Sequence, residues 1–179
     1  NEIQIPDTLL TIKSNQRLTA GLTIYMNKWD MDHMEGELHS YKKDLLPLNM
    51  KTDVFSLTGN VTLNLDLYLE NNVMEVNGGI SGENAELVLP IFSLSSQETN
   101  PADMQVITNL DITLGTHASV RLDPIIRCVF VPNTTMKVIV NQPEDVYRIE
   151  GDLKFKSGDL AYLNRSFYIK SGSIKFNKN

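Results

Sequence analysis

The stretch Asn60 to Glu70 constrains this chain more than any other. Val61, Leu63, Leu65, Leu67 and Leu69 alternate there with Thr62, Asn64, Asp66, Tyr68 and Glu70. An apolar residue at every second position makes a strand with one dry face and one wet face. A helix would spread the same leucines around its whole circumference. Such a strand cannot stand alone, because its dry face must be hidden against something else.

The pattern recurs along the chain. Leu18, Leu22 and Ile24 share one parity, as do Met74 and Val76 after the turn signal Asn71-Asn72. Beyond Gly78-Gly79 come Ala85, Leu87 and Leu89, and then Val106, Leu110, Ile112 and Leu114. Val120 with Leu122, Cys128 with Phe130, and Met136, Val138 and Val140 follow. Ile149, Leu153 and Phe155 lead to Leu160 with Tyr162, Phe167 with Ile169, and Ile174 with Phe176. That predicts about a dozen strands at the spacing of an all-β protein. Ile5-Pro6, Leu89-Pro90 and Val131-Pro132 are expected at strand ends or edges, since proline donates no ladder hydrogen bond. Helical signal is weak. The window from Trp29 to Leu46 has irregular apolar spacing broken by Gly36, with Pro47 just after it, and predicts either a loop with a short helical turn or a helix. The polar segment 93–104 predicts the longest loop.

Three arrangements would hide so many one-sided strands. A second sheet could cover the first, the sheet could close into a filled barrel, or a concave face could stay partly open and take an apolar guest. Alternation alone does not choose among them. The expected fold is therefore all-β: a long antiparallel or mixed sheet curled into a trough, taco-like or a partly closed barrel, with an apolar interior, forming a single β-rich domain over residues 1–179. Because the chain lacks an initial Met and ends just after a strand signal, it reads as a piece of a longer protein.

Little in the sequence points to chemistry. The net charge is −6 with 16 scattered Lys and Arg, so the clustered positive charge that phosphate contacts require is missing and nucleic acid is not an expected partner. No apolar run approaches the roughly 20 residues of a spanning helix. The single cysteine, Cys128, lies in an apolar stretch and reads as a buried thiol. Asp30, Asp32, His33 and Glu35 form an oxygen-rich run, but a calcium loop needs its glycine and terminal Glu at other positions, so no metal site is expected. No Gly-x-Ser-x-Gly elbow accompanies His33, His39 or His117. Neither an enzyme nor a cofactor is expected.

The end of the chain carries a distinctive set of glycines and aromatics: Gly151-Asp152-Leu153, Ser157-Gly158-Asp159-Leu160, Tyr162, Asn164-Arg165, Phe167-Tyr168-Ile169 and Gly172-Ser173-Ile174-Lys175-Phe176. With Asn109 to Gly115 and Val131-Pro132, these make residues 105–179 resemble the C-terminal region of the TamB family, the translocation and assembly module proteins of bacteria with two membranes. The resemblance implies a segment of a periplasmic bridge, anchored in the inner membrane through a region outside this chain. Its hydrophobic groove would carry phospholipid between the inner and outer membranes. It would also support outer-membrane protein assembly and protein translocation with an Omp85-type barrel partner. The groove would be lined by Val61, Leu63, Leu65, Leu67, Leu69, Leu87, Leu89, Val106, Leu110, Ile112, Leu114, Phe155, Leu160, Tyr162, Phe167, Ile169, Ile174 and Phe176. Gly158 and Gly172 would serve as turns, and Arg165, Lys170 and Lys175 would stay in water. The alternative is a chaperone-like platform or a β-sandwich binding module that pairs with partner strands.

Overall fold

The computed structural model describes residues 1–12, 16–51, 56–90, 104–163 and 165–176, without the side chains of Met50, Lys51, Leu89, Pro90 and Asp123. The predicted loop at 93–104 lies, apart from Met104, outside the described residues. Those residues form one sheet of 13 strands. The first six are β1 (Glu2–Thr11), β2 (Arg17–Asn27), β3 (Asp30–Ser40), β4 (Leu46–Lys51), β5 (Ser56–Glu70) and β6 (Val73–Pro90). The next five are β7 (Gln105–Leu114), β8 (Ser119–Asp123), β9 (Ile126–Phe130), β10 (Thr134–Asn141) and β11 (Val146–Tyr162). Two short strands, β12 (Arg165–Ile169) and β13 (Gly172–Phe176), complete it. Short 3-10 turns at Tyr41–Lys43 and Gln142–Glu144 are the only helical pieces among the described residues. No helix among them is long and apolar enough to cross a membrane.

The sheet runs β1-β2-β3-β5-β6-β7-β10-β11-β9-β8, and β8 returns to pair with β6. Six strands thus pair in a cycle, a barrel-like ring from which the others extend. The register shows how the ring is built. Val73 pairs with Glu70 on one side and Gln105 on the other, and Val88 pairs with Ser56 and Arg121 in the same way. Both β7 and β8 therefore lie along one edge of β6. Gly151 and Phe155 place β10 and β9 along one edge of β11, with β13 on the other edge. The ring is a curled part of one sheet in which two long strands are each interrupted once. The interruptions are stitched by backbone hydrogen bonds: Gly115 donates to Gly82, Asn84 to Thr116, Phe130 to Ala118, and Asn133 to Leu114. The Glu83 carboxylate accepts the Thr116 amide at 2.9 Å and the Thr116 hydroxyl as well.

Two sequence expectations need correction. The window from Trp29 is neither a loop nor a helix up to Ser40; it is the strand β3, followed by the 3-10 turn. Its inward row is only Met34, Gly36 and Leu38, too thin a stripe to register, and its outward row carries His33, Glu35, Glu37 and His39. Gly78-Gly79, expected to separate strands, lies inside the 18-residue β6. The Asn71-Asn72 turn is found where the sequence places it, with both residues at positive φ (49° and 62°), the geometry of a tight hairpin. Pro6 falls at a bulge in the edge strand β1, where register slips between Ile5 and Thr8, and Pro132 falls in the turn after β9.

Candidate functional site: an uncovered apolar wall

Paired residues on neighbouring strands share a face, so the register maps the inner wall row by row. One row runs Ile3, Ile24, Met34, Leu69, Met74, Val106. The next runs Ile5, Leu22, Gly36, Leu67, Val76, Thr108, Val140, Tyr147. A third runs Thr8, Ala20, Leu38, Leu65, Gly78, Leu110, Val138, Ile149. A fourth passes through Leu63, Ile80, Ile112, Met136, Gly151 and Phe176. A fifth passes through Leu46, Val61, Gly82, Leu114 and Thr134. These rows contain no charged residue. The wall is continuous from β1 to β11.

Every residue expected to line the groove falls on this face by its pairing or by alternation. Val61, Leu65, Leu114 and Phe155 are buried. Leu63, Leu67, Leu69, Leu87, Val106, Leu110, Ile112, Leu160, Ile169 and Phe176 are half-buried. Tyr162, Phe167 and Ile174 are exposed. Leu89 pairs with Leu122, and its side chain is outside the described residues. The two glycines behave differently from the turns expected of them. Gly158 sits inside β11, opposite Cys128, where a Cβ would come within 2.7 Å of the Arg127 carbonyl oxygen. It permits close strand approach, not a bend. Gly172 opens β13, and a Cβ there would make only ordinary contact with the Phe155 ring. The glycines at positive φ are Gly59, Gly78 and Gly151. Sequence reasoning missed these because glycine in a strand gives no hint of which φ it adopts.

Among the described residues no second sheet or helix covers the wall outside the ring. Among the described residues no large side chain reaches full burial, and large apolar residues on the face remain open, such as Ile3 at 54% and Ile5 at 49%. Among the described residues the packed cluster lies in the ring. There Leu114, Ala118, Cys128, Phe130, Leu153 and Phe155 cluster, with the Phe130 and Phe155 ring centroids 5.2 Å apart. Burial, with some help from Asp159, raises the pKa of the Cys128 thiol and keeps it uncharged.

The outer face holds the polar chemistry. Tyr25 stacks on His33 at 4.2 Å, and His33 Nδ1 lies 2.9 Å from the Asp32 carboxylate. Tyr25 and Tyr68 donate to Glu35 and Glu70. The Glu35 charge raises the Tyr25 pKa, while the hydrogen bond to Glu70 raises that of Tyr68. His39 sits between Glu37 and Asn64; burial disfavours its charge, but those hydrogen bonds and the nearby carboxylates prevail and raise its pKa. The run Asp30, Asp32, His33 and Glu35 is absorbed into this face, and among the described residues no three His, Cys, Asp or Glu side chains converge as metal ligands.

No protein-family model matches the chain, and neither a curated protein nor a solved structure matches it, so the comparisons do not identify it as a TamB protein.

Proposed function

We propose that this sheet holds phospholipid by its acyl chains, as one segment of a longer apolar conduit. The supporting observation is an aliphatic wall, uncharged over five rows and curling into the ring, over which the described residues outside the ring lay no second layer. Monomeric soluble proteins seldom leave contiguous apolar surface of this kind without a partner. Apolar chains lose contact with water on such a wall at about 0.8 kcal/mol per buried CH₂. The resemblance of residues 105–179 to the TamB family points the same way, and with it come the periplasm, transport between two membranes and an Omp85-type partner. Strand addition is the weaker reading. The free edge of β1 is broken by Pro6 and a bulge, two devices that discourage a further strand from pairing.

The test is to purify the protein from a bacterium with two membranes, extract it and weigh the lipid by mass spectrometry. Phospholipid is expected in near-stoichiometric amount. Leu67→Asp places a carboxylate in the second row at a half-buried site, and circular dichroism matching that of wild type establishes that the variant folds before its lipid is weighed. Retained lipid should fall at least about tenfold, corresponding to ~1.4 kcal/mol. Extracts no richer in lipid than those of an unrelated β protein purified alongside would end the proposal.

A further inference from the structure

The wall is not open along its whole depth. Ten apolar residues are buried among the described residues, and nine of them lie on the row through Val61 and Leu114 or farther from the Asn71-Asn72 turn. Only Leu65 lies nearer the turn. On the turn side, Ile24, Met34, Leu67, Leu69, Met74 and Val76 are half-buried, and Ile3 and Ile5 are more open still. From β5 to β11, then, the wall away from the turn is filled by the protein's own side chains while the turn-side rows are not; at the sheet's margins Leu10, Phe167 and Tyr162 stay exposed on the far side as well.

We infer that acyl chains occupy only the turn-side band, resting end-on against a self-filled floor made by Val61, Leu114, Phe130, Leu153 and Phe155. This rests on the lipid reading above. The dimensions agree with it. The first three rows and the step to the fourth span about 20 Å along the strands, at ~3.4 Å per residue. One leaflet of a bilayer's hydrocarbon core is about 15 Å deep. A chain lying along a strand therefore fits between the turn end and the floor. The floor underlies five neighbouring strands of the band, β5, β6, β7, β10 and β11, so several chains fit side by side above it. The absence of charge from these rows suits an uncharged occupant. The exposed groups that a headgroup would meet at the same turn end, Lys28, Asp30, Asn71 and Asn72, are polar and of mixed charge.

The experiment uses the wild-type chain and a phospholipid carrying a photoreactive diazirine midway along one acyl chain, presented in vesicles of the same lipid. After irradiation, adducts are mapped by peptide mass spectrometry. Adducts are expected on the segments holding Ile24, Met34, Leu67, Leu69, Met74 and Val76, at least tenfold above those on the segments holding Ala118, Cys128, Phe130, Leu153 and Phe155. Equal labelling of the two zones, or labelling concentrated on the second, overturns the floor while leaving lipid binding intact. No labelling above that of an irradiated control protein overturns the lipid reading itself, and this inference with it.

Discussion

Gly78→Ala is expected to cost at least about 3 kcal/mol, which would leave little of a typical domain's ~5–15 kcal/mol. Two penalties coincide at this position. Gly78 holds φ at +127° in the middle of β6, a region of backbone space that side chains rarely enter. A Cβ there would also lie 2.0 Å from the Asn64 carbonyl oxygen and 3.1 Å from the Leu65 Cα, both backbone atoms of the paired strand β5. No side-chain rotation relieves such a clash; the strands themselves must part. The neighbour Gly79 supplies the control. It has no positive φ, and its added Cβ would meet only the Asp111 carbonyl oxygen at 3.6 Å. Gly79→Ala should stay within about 1 kcal/mol of wild type in either direction, because only general glycine effects remain. Urea denaturation of the two variants measures the difference. Equal midpoints would mean that β6 does not hold the conformation described.

Phe155→Ala is expected to lose about 3–5 kcal/mol, the usual range for emptying a buried aromatic site. Phe155 is 7% exposed, touches Phe130, and belongs to the one packed cluster of the ring. In a protein with many cores the loss would be spread. Here the cluster is the main place where inner-face side chains exclude water, so the cavity has few neighbours able to collapse into it. Phe167→Ala is the comparison, since that ring lies on the same face but is 50% exposed, and it should cost less than about 1 kcal/mol. Thermal or urea unfolding decides. If truncating Phe155 proves as mild as truncating Phe167, the cluster is not a core.

The fold was legible wherever a strand carried leucine, valine or isoleucine at every second residue, as β5 and β7 do. That signal also gave the inward face, and the register places all the expected wall residues on it. β3 was not legible: Gly36 occupies the middle of its inward row, and its outward His and Glu residues look like a loop. Pairing order was not legible either. The parallel contact of β6 with β7 and β8 brings together residues far apart in the chain, and no local pattern announces it. The division of the wall into an open band and a filled floor depends on which aromatics meet across strands. Phe130 and Phe155 look no different in sequence from Phe167, which stays in solvent.

The contact of β6 with β7 and β8 is the sheet's parallel seam; all its other strand pairs are antiparallel. On either side the sheet contains local hairpins, such as β1-β2, β2-β3, β5-β6, β8-β9 and β10-β11. Parallel pairing leaves the seam without any hairpin, so all its contacts join distant parts of the chain, as those of β7 with β10 and β9 with β11 also do. Distant closures pay their chain entropy before any reward, so the local hairpins are expected to form first and the two halves of the sheet to dock late. Ile112→Val, facing Ile80 across the seam, should therefore hasten unfolding by a few fold and leave refolding nearly unchanged, as stopped-flow traces would reveal; slowed refolding instead would put docking early. A late seam also means that, for a time during synthesis, two half-sheets coexist with their greasy edges unjoined, the interval in which this molecule is most in need of a holdase.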